Sequence, residues 1–198
     1  GIMSADRKSF FESLDSQTRR SFLKLAAMAG VSSSMLLTGP SIVLAGDKEN
    51  DVKIMNVALG LEHQAIAAYQ AGAETKLLSD GVLKVAVKFQ DHHKQHRDAL
   101  ASTVKKFGGK PVDAQAKYDP VAIAKSVGVN QLAAERDIIQ LAAKLEAQAT
   151  SAYLGAIPGL ASKDVVKAAL SIMADEAQHT AVLRSALGED PVPAAFVS

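Results

Sequence analysis

Glu176 and His179 stand three residues apart, and His93 and His96 repeat that spacing earlier in the chain. On a helix, side chains at i and i+3 share a face. Glu176 and His179 fall on the stripe that carries Ile172, Met173 and Leu183, so they point into a core. Glu62 and Glu146 likewise sit among Ala, Leu and Ile on their own inward faces. A buried carboxylate without a partner costs on the order of several kcal/mol. Carboxylates and imidazoles that converge on one core therefore need either a metal ion or one another. The chemistry on offer is metal binding through oxygen and nitrogen, where imidazole suits Zn, Cu and Fe(II). All five His of the chain (His63, His92, His93, His96 and His179) lie in or close to this set. His92 stands i, i+4 from His96 and competes with His93 for the ligand position. His63 is adjacent to Glu62 and points off its face. The alternative is a metal-free relic in which the same Glu and His hydrogen-bond each other.

Helices must position these groups. Ile54, Val57, Ala58, Leu61, Ala65, Ala68 and Tyr69 recur at helical spacing after an Asn50-Asp51 cap, predicting a first helix to about Leu78. Ser79-Asp80-Gly81 is a short turn. Val82, Val85, Phe89, His96, Leu100, Val104 and Phe107 mark a second helix that stops at Gly108-Gly109. Residues 110–129 contain Pro111, Asp119-Pro120 and Gly128 and read as a long connection with a short helix at 121–127. Asn130 is the expected cap of a third helix, ended by Ile157-Pro158-Gly159. Ser162 caps a fourth, from Lys163 to Leu187, with Gly188 at its stop. Short turn, long crossover, short turn is a known order for a four-helix bundle with one long crossover between helices 2 and 3. No strand pattern is present, so the class is all-α.

The helices repeat. Leu61-Glu62-His63-Gln64-Ala65-Ile66-Ala67-Ala68-Tyr69 aligns with Leu145-Glu146-Ala147-Gln148-Ala149-Thr150-Ser151-Ala152-Tyr153 at an offset of 84, with six of nine positions identical. His93-Lys94-Gln95-His96 lies over Glu176-Ala177-Gln178-His179 at an offset of 83. Two helix pairs with nearly equal offsets imply a pseudo-two-fold bundle. Tyr69 and Tyr153 each follow their Glu by two turns, about 10 Å along the axis. Core packing is the expected role for them, with a hydrogen bond to a ligand across the bundle as the alternative.

With these phrases the chain resembles the ferritin-like superfamily, in particular the small bacterial ferritin-like proteins exported by the twin-arginine (Tat) route. The resemblance covers the domain from residue 46 to 198. It implies that Glu62, Glu146, Glu176, His179 and His96 take metal-ligand positions. It further implies two iron ions, or sometimes manganese, between the helices, used for oxygen or peroxide chemistry or for iron oxidation. One position departs from the family. His93 stands where relatives carry Glu, giving three carboxylates and three imidazoles. That set offsets less positive charge and favours Zn or Fe(II) over hard Mn. A single-metal or uneven site is the consequence to look for.

Upstream, Thr18-Arg19-Arg20-Ser21-Phe22-Leu23-Lys24 precedes an apolar run from Leu25 to Leu37, and Val43-Leu44-Ala45 offers a small residue before polar Gly46-Asp47. This is a tripartite twin-arginine leader over residues 1–45, expected to be helical from about Thr18. Gly1-Ile2 before Met3 look like a cloning remnant. The 13-residue run is short of the roughly 20 that a spanning helix needs, so no permanent span is expected in the mature chain. A periplasmic location and contact with the Tat export machinery follow as expectations. The net charge of +1 leaves no basic footprint for nucleic acid. The absence of Cys excludes thiolate metal sites, disulfides and c-type haem attachment.

The expected function is thus an exported metal-binding protein, ferroxidase-like or peroxide-active, with a homodimer as the expected state. The competing expectation is a metal-free scaffold that serves as a stress or interaction protein. Dimanganese catalase-like activity and haem held between His96 and His179 are weaker alternatives.

Overall fold

Five α-helices and one 3-10 turn build the part of the chain that the computed structural model describes, residues 48–197. They are α1 (Lys48–Glu74), α2 (Asp80–Lys106), α3 (Pro120–Ser126), α4 (Glu135–Ala156) and α5 (Lys163–Ala186), with the 3-10 turn at Ile157–Gly159. No strand occurs among the described residues. The four long helices are the expected bundle, and α3 lies in the crossover between helices 2 and 3. The leader and its expected helix lie outside the described residues.

α1 packs along α2 and α4 along α5, and the two pairs meet chiefly where α1 lies on α4. Apolar side chains fill both ends. Met55, Leu59, Leu100, Val104, Tyr153, Val165 and Ile172 form one cluster, and Tyr69, Phe89, Ile139, Leu183 and Leu187 the other. Between these two plugs the core is polar, and there Glu62, His93, Glu146, Glu176 and His179 are all buried. In the crossover, Ile123, Ala124 and Val129 pack on Leu141 of α4, so the long connection is tied to the bundle.

Three boundaries differ from the sequence reading. α1 ends at Glu74, four residues before Leu78. Thr75 Oγ1 donates to Gly72 O at 2.6 Å and accepts from Leu77 N at 3.2 Å, and Lys76 adopts a left-handed φ of 59°. A hydroxyl that bonds the local backbone competes with the next helical turn. α4 begins at Glu135, because Asp137 accepts from the backbone N–H of Ala133 and Ala134 at 2.9 and 3.0 Å. Asn130 lies outside the helix, so it is not the cap. Asn50 and Asp51 lie within α1 rather than ahead of it. Asp51 is fully buried and accepts from Ala161 N and Ser162 N at 2.8 and 2.9 Å, which fastens the start of α5 to α1. The stop of α2 follows the sequence: Gly109 N donates to Val104 O, and Gly108 takes a φ of 81° that favours glycine.

Candidate metal centre

Each helix of the four sends its own side chains into the polar layer. α1 brings Glu62, α4 brings Glu146, α2 brings His93 and His96, and α5 brings Glu176 and His179. Spacing by three places each pair of α2 and α5 on one helical face. All six expected ligand-type residues therefore lie in one layer. They form two groups whose ligand atoms lie within 4.8 Å of one another: Glu62, His93, His96 and Glu176, and His93, Glu146, Glu176 and His179. His93 and Glu176 belong to both.

The tyrosines are more than packing. Tyr69 on α1 donates to Glu146 Oε1 on α4 at 2.5 Å, and Tyr153 on α4 donates to Glu62 Oε1 on α1 at 2.8 Å. Each hydroxyl crosses to the other helix pair, so the two bonds obey the pseudo-two-fold of the sequence. Burial and the adjacent carboxylates hold both phenols well above their usual range, so they act as donors.

His93 is buried and has a carboxylate at each ring nitrogen. Its Nδ1 lies 2.7 Å from Glu62 Oε2 and its Nε2 lies 3.1 Å from Glu146 Oε1. His92, its competitor, belongs to neither of the two ligand groups above but to a third, with Asp175 and His179. It sits nearer the surface, with Nδ1 at 3.1 Å from Asp175 Oδ2 and 2.9 Å from His179 Nε2. Helical geometry turns adjacent residues by about 100°, so only one of the two can face inward. His63 faces the crossover, where its Nε2 lies 3.1 Å from Val112 O.

Asp175 went unnoticed in the sequence. One oxygen of its carboxylate lies 3.1–3.3 Å from ring nitrogens of His92, His96 and His179. It faces Nε2 of His96 and His179, which leaves Nδ1 of both aimed inward. A carboxylate behind a histidine fixes the ring and its tautomer for metal binding. The repeat could have revealed it, since the offset of 83 places Asp175 over His92.

Burial alone would neutralise the acids. It pushes Glu62 up, but pairing with His93 and His96 outweighs it and brings the group down to about 2. Glu146 is held well below its ordinary value, since His93 and His179 overcome its desolvation. Glu176 goes the other way, to about 7, because burial and the neighbouring Glu146 both oppose its charge. Burial disfavours the charged imidazoles, but the surrounding carboxylates prevail. His96 rises to about 10, His179 to about 9, and His93 well above the usual value. Without metal, three protonated rings thus balance the acids.

That balance leaves hydrogen bonds unmade. His96 Nδ1, His179 Nδ1, Glu146 Oε2 and both oxygens of Glu176 are buried without a hydrogen-bond partner. His96 Nδ1 lies 3.2 Å from Glu176 Oε1 and His179 Nδ1 lies 3.4 Å from Glu176 Oε2, close but not aligned to bond. Among the described residues the only other such atom is Gln148 Oε1, so the deficit concentrates where ligand atoms converge. Buried polar atoms left without partners are costly, and each of these is a metal-ligand type. The residues present fit a metal.

A family model described as a ferritin-like domain matches residues 50–189. Among solved structures, a conserved hypothetical protein from Mycobacterium tuberculosis superposes with a TM-score of 0.62 at 20% identity, covering 76% of this chain and 99% of that one. At that identity the likeness is one of fold. No curated protein matches the chain.

Proposed function

From the premise that this chain belongs to the ferritin-like domain family, we propose that it binds two metal ions, iron foremost, and uses them in oxygen or peroxide chemistry after export. The observation that carries the reading is the set of orphaned nitrogen and oxygen atoms on His96, Glu146, Glu176 and His179. Glu62 and His96 would hold one ion and Glu146 and His179 the other, with His93 and Glu176 between them. Bound there, such ions supply Lewis acidity and electron exchange with oxygen species. The chain's own residues do the rest. Tyr69 and Tyr153 each hold one carboxylate oxygen, which restrains how Glu146 and Glu62 can rotate. Asp175 keeps the Nδ1 atoms of His96 and His179 turned inward. Apolar plugs lie above and below the layer, and the low polarity of those two ends strengthens the charge interactions of its most buried groups.

Export rests on the twin-arginine leader, Arg19-Arg20 before the apolar run. No helix of the described residues is long and apolar enough to cross a membrane. Changing Arg19 and Arg20 together to Lys should keep the protein inside the cell in a fractionation assay. Equal recovery outside the inner membrane would end the export proposal.

Elemental analysis of exported protein, purified without chelator or nickel resin, should find close to two metals per chain, with oxygen uptake dependent on Fe(II). Protein that carries no metal and takes up no oxygen would refute this reading. A second reading has one observation in its favour. A protonated His93 between Glu62 and Glu146 already neutralises part of the layer, as a metal-free scaffold would need. On that reading, changing Glu146 and Glu176 together to Gln leaves metal content unaltered; on ours, it removes the metal.

A further inference from the structure

The two ring nitrogens of His93 face opposite halves of the centre. Nδ1 lies 2.7 Å from Glu62 Oε2 and 3.6 Å from Glu176 Oε1. His96 Nδ1 completes that half, at 3.6 Å from Glu62 Oε2 and 3.2 Å from Glu176 Oε1. On the other side, Nε2 of His93 lies 3.1 Å from Glu146 Oε1. His179 Nδ1 stands 3.3 Å from that same oxygen and 3.4 Å from Glu176 Oε2. Each half thus holds two nitrogens and two oxygens, and no atom is counted in both. A tetrahedral ion with bonds of about 2.0–2.1 Å keeps its ligand atoms roughly 3.4 Å apart. The measured edges, 2.7–3.6 Å, scatter about that value.

The geometry points to His93 as a bridging ligand, binding one metal ion through Nδ1 and a second through Nε2. Glu176 supports the bridge by dividing its two oxygens between the same halves. To serve both ions the ring gives up its N–H protons to solvent, as histidine must whenever a metal takes its nitrogen. A bridge through the ring separates the ions by roughly 6 Å, two bonds of about 2 Å plus the width of the imidazole. Metal pairs that act jointly on one oxygen ligand stand about 3.5–4 Å apart. This chain's pair is held wider, by a single substitution in the repeat: His93 occupies the position that Glu176 occupies in the other half. Each ion then has its own N2O2 set, which suits borderline ions such as Zn, Co(II) or Fe(II).

The inference rests on the metal-binding reading above, and one experiment separates their failures. The full chain is stripped of metal, reloaded with cobalt(II) and crystallised, and the ions are located by anomalous scattering. Two ions per chain about 6 Å apart, each with a nitrogen of His93, is the expected result. A single ion, a separation under about 4 Å, or a His93 ring outside both shells overturns the bridge and leaves metal binding standing. Protein that binds no cobalt overturns both. In H93E, whose folding is checked by circular dichroism, the ions should close to about 3.5–4 Å. An unchanged separation there also overturns the bridge, and if the variant does not fold, the distance in the native chain decides.

Discussion

Glu62 and Glu146 each accept a phenol from the opposite helix pair, and Tyr69 and Tyr153 have no other polar task in the core. Removing one hydroxyl leaves a buried carboxylate oxygen short of a donor, a loss of about 1.5–3 kcal/mol for a bond to a charged group. Y69F and Y153F should therefore each lower the melting temperature of the metal-free protein. Each should also weaken metal binding roughly 10–100-fold, as changes behind a metal ligand do. Competition titration against a chelator measures the second effect, and unchanged affinity would mean that the hydroxyls only pack.

The titrating groups set a pH course for the metal-free protein. His96 and His179 stand at about 10 and about 9 in the fold against 6.5 when free. A group raised on folding stabilises fully below its free value and loses that contribution as pH climbs through its folded one. Glu176, raised from 4.5 to about 7, also loses its contribution as pH rises. Glu62, lowered from 4.5 to about 2, works in the opposite direction and weakens the fold as pH falls toward 2. Thermal melts in chelator should thus show highest stability near pH 4.5–6.5, with a decline toward pH 10 and another toward pH 2. A melting temperature that rises steadily from pH 6.5 to 10 would contradict the assignment of charged imidazoles.

At the scale of the element, what matters is how one helix fastens the next. Asp51 sits in α1, yet its bonds go to Ala161 N and Ser162 N at the start of α5. The Ser162 hydroxyl adds a longer contact of 3.5 Å to Val165 N. Asn56 does the same for the crossover, donating to Lys110 O at 3.0 Å and accepting from Val112 N at 2.9 Å. These bonds connect segments that share no regular hydrogen bonding. D51A removes two part-buried hydrogen bonds to a charged acceptor, at most about 1.5–3 kcal/mol each, partly offset by the burial cost of the carboxylate it removes. We expect about 2–4 kcal/mol of destabilisation by urea unfolding at an unchanged m-value. A loss below about 0.5 kcal/mol would show that water replaces Asp51.

For the whole molecule, the polar layer is a weakness that a metal would convert into a joint. The helix pairs are held together by an apolar cluster at each end, and between them stand like-charged acids separated by protonated rings. A ligand that binds only the folded chain stabilises it by about 2.7 kcal/mol at a concentration of one hundred times its Kd. Metal competes with the ring protons of His93, His96 and His179, so binding strengthens with pH. The gap in melting temperature between loaded and stripped protein should widen from about pH 6 to about pH 9. A gap that is constant or narrows would indicate that these rings do not take part in binding.

The sequence by itself determined the four long helices, the long crossover and five inward Glu and His residues, Glu62, His96, Glu146, Glu176 and His179, with a sixth at His92 or His93. It could do so because those features are local or periodic. Spacing by three or four puts residues on one face whatever lies opposite, and the offsets of 84 and 83 carry the pairing of helices. Only the tertiary structure decided the questions that two helix pairs settle jointly. His92 and His93 are neighbours, and which of them enters the core depends on where α5 and α1 lie. The partners of Tyr69 and Tyr153 are 77 and 91 residues away. Asp175 is one acid among many until three imidazoles are seen to surround one of its oxygens. The ends of α1 and α4 moved for the same kind of reason, since Thr75 and Asp137 bond backbone groups that periodicity does not register. At His93 the sequence showed a departure in residue type. The fold supplied its meaning, a ring with one nitrogen toward Glu62 and the other toward Glu146.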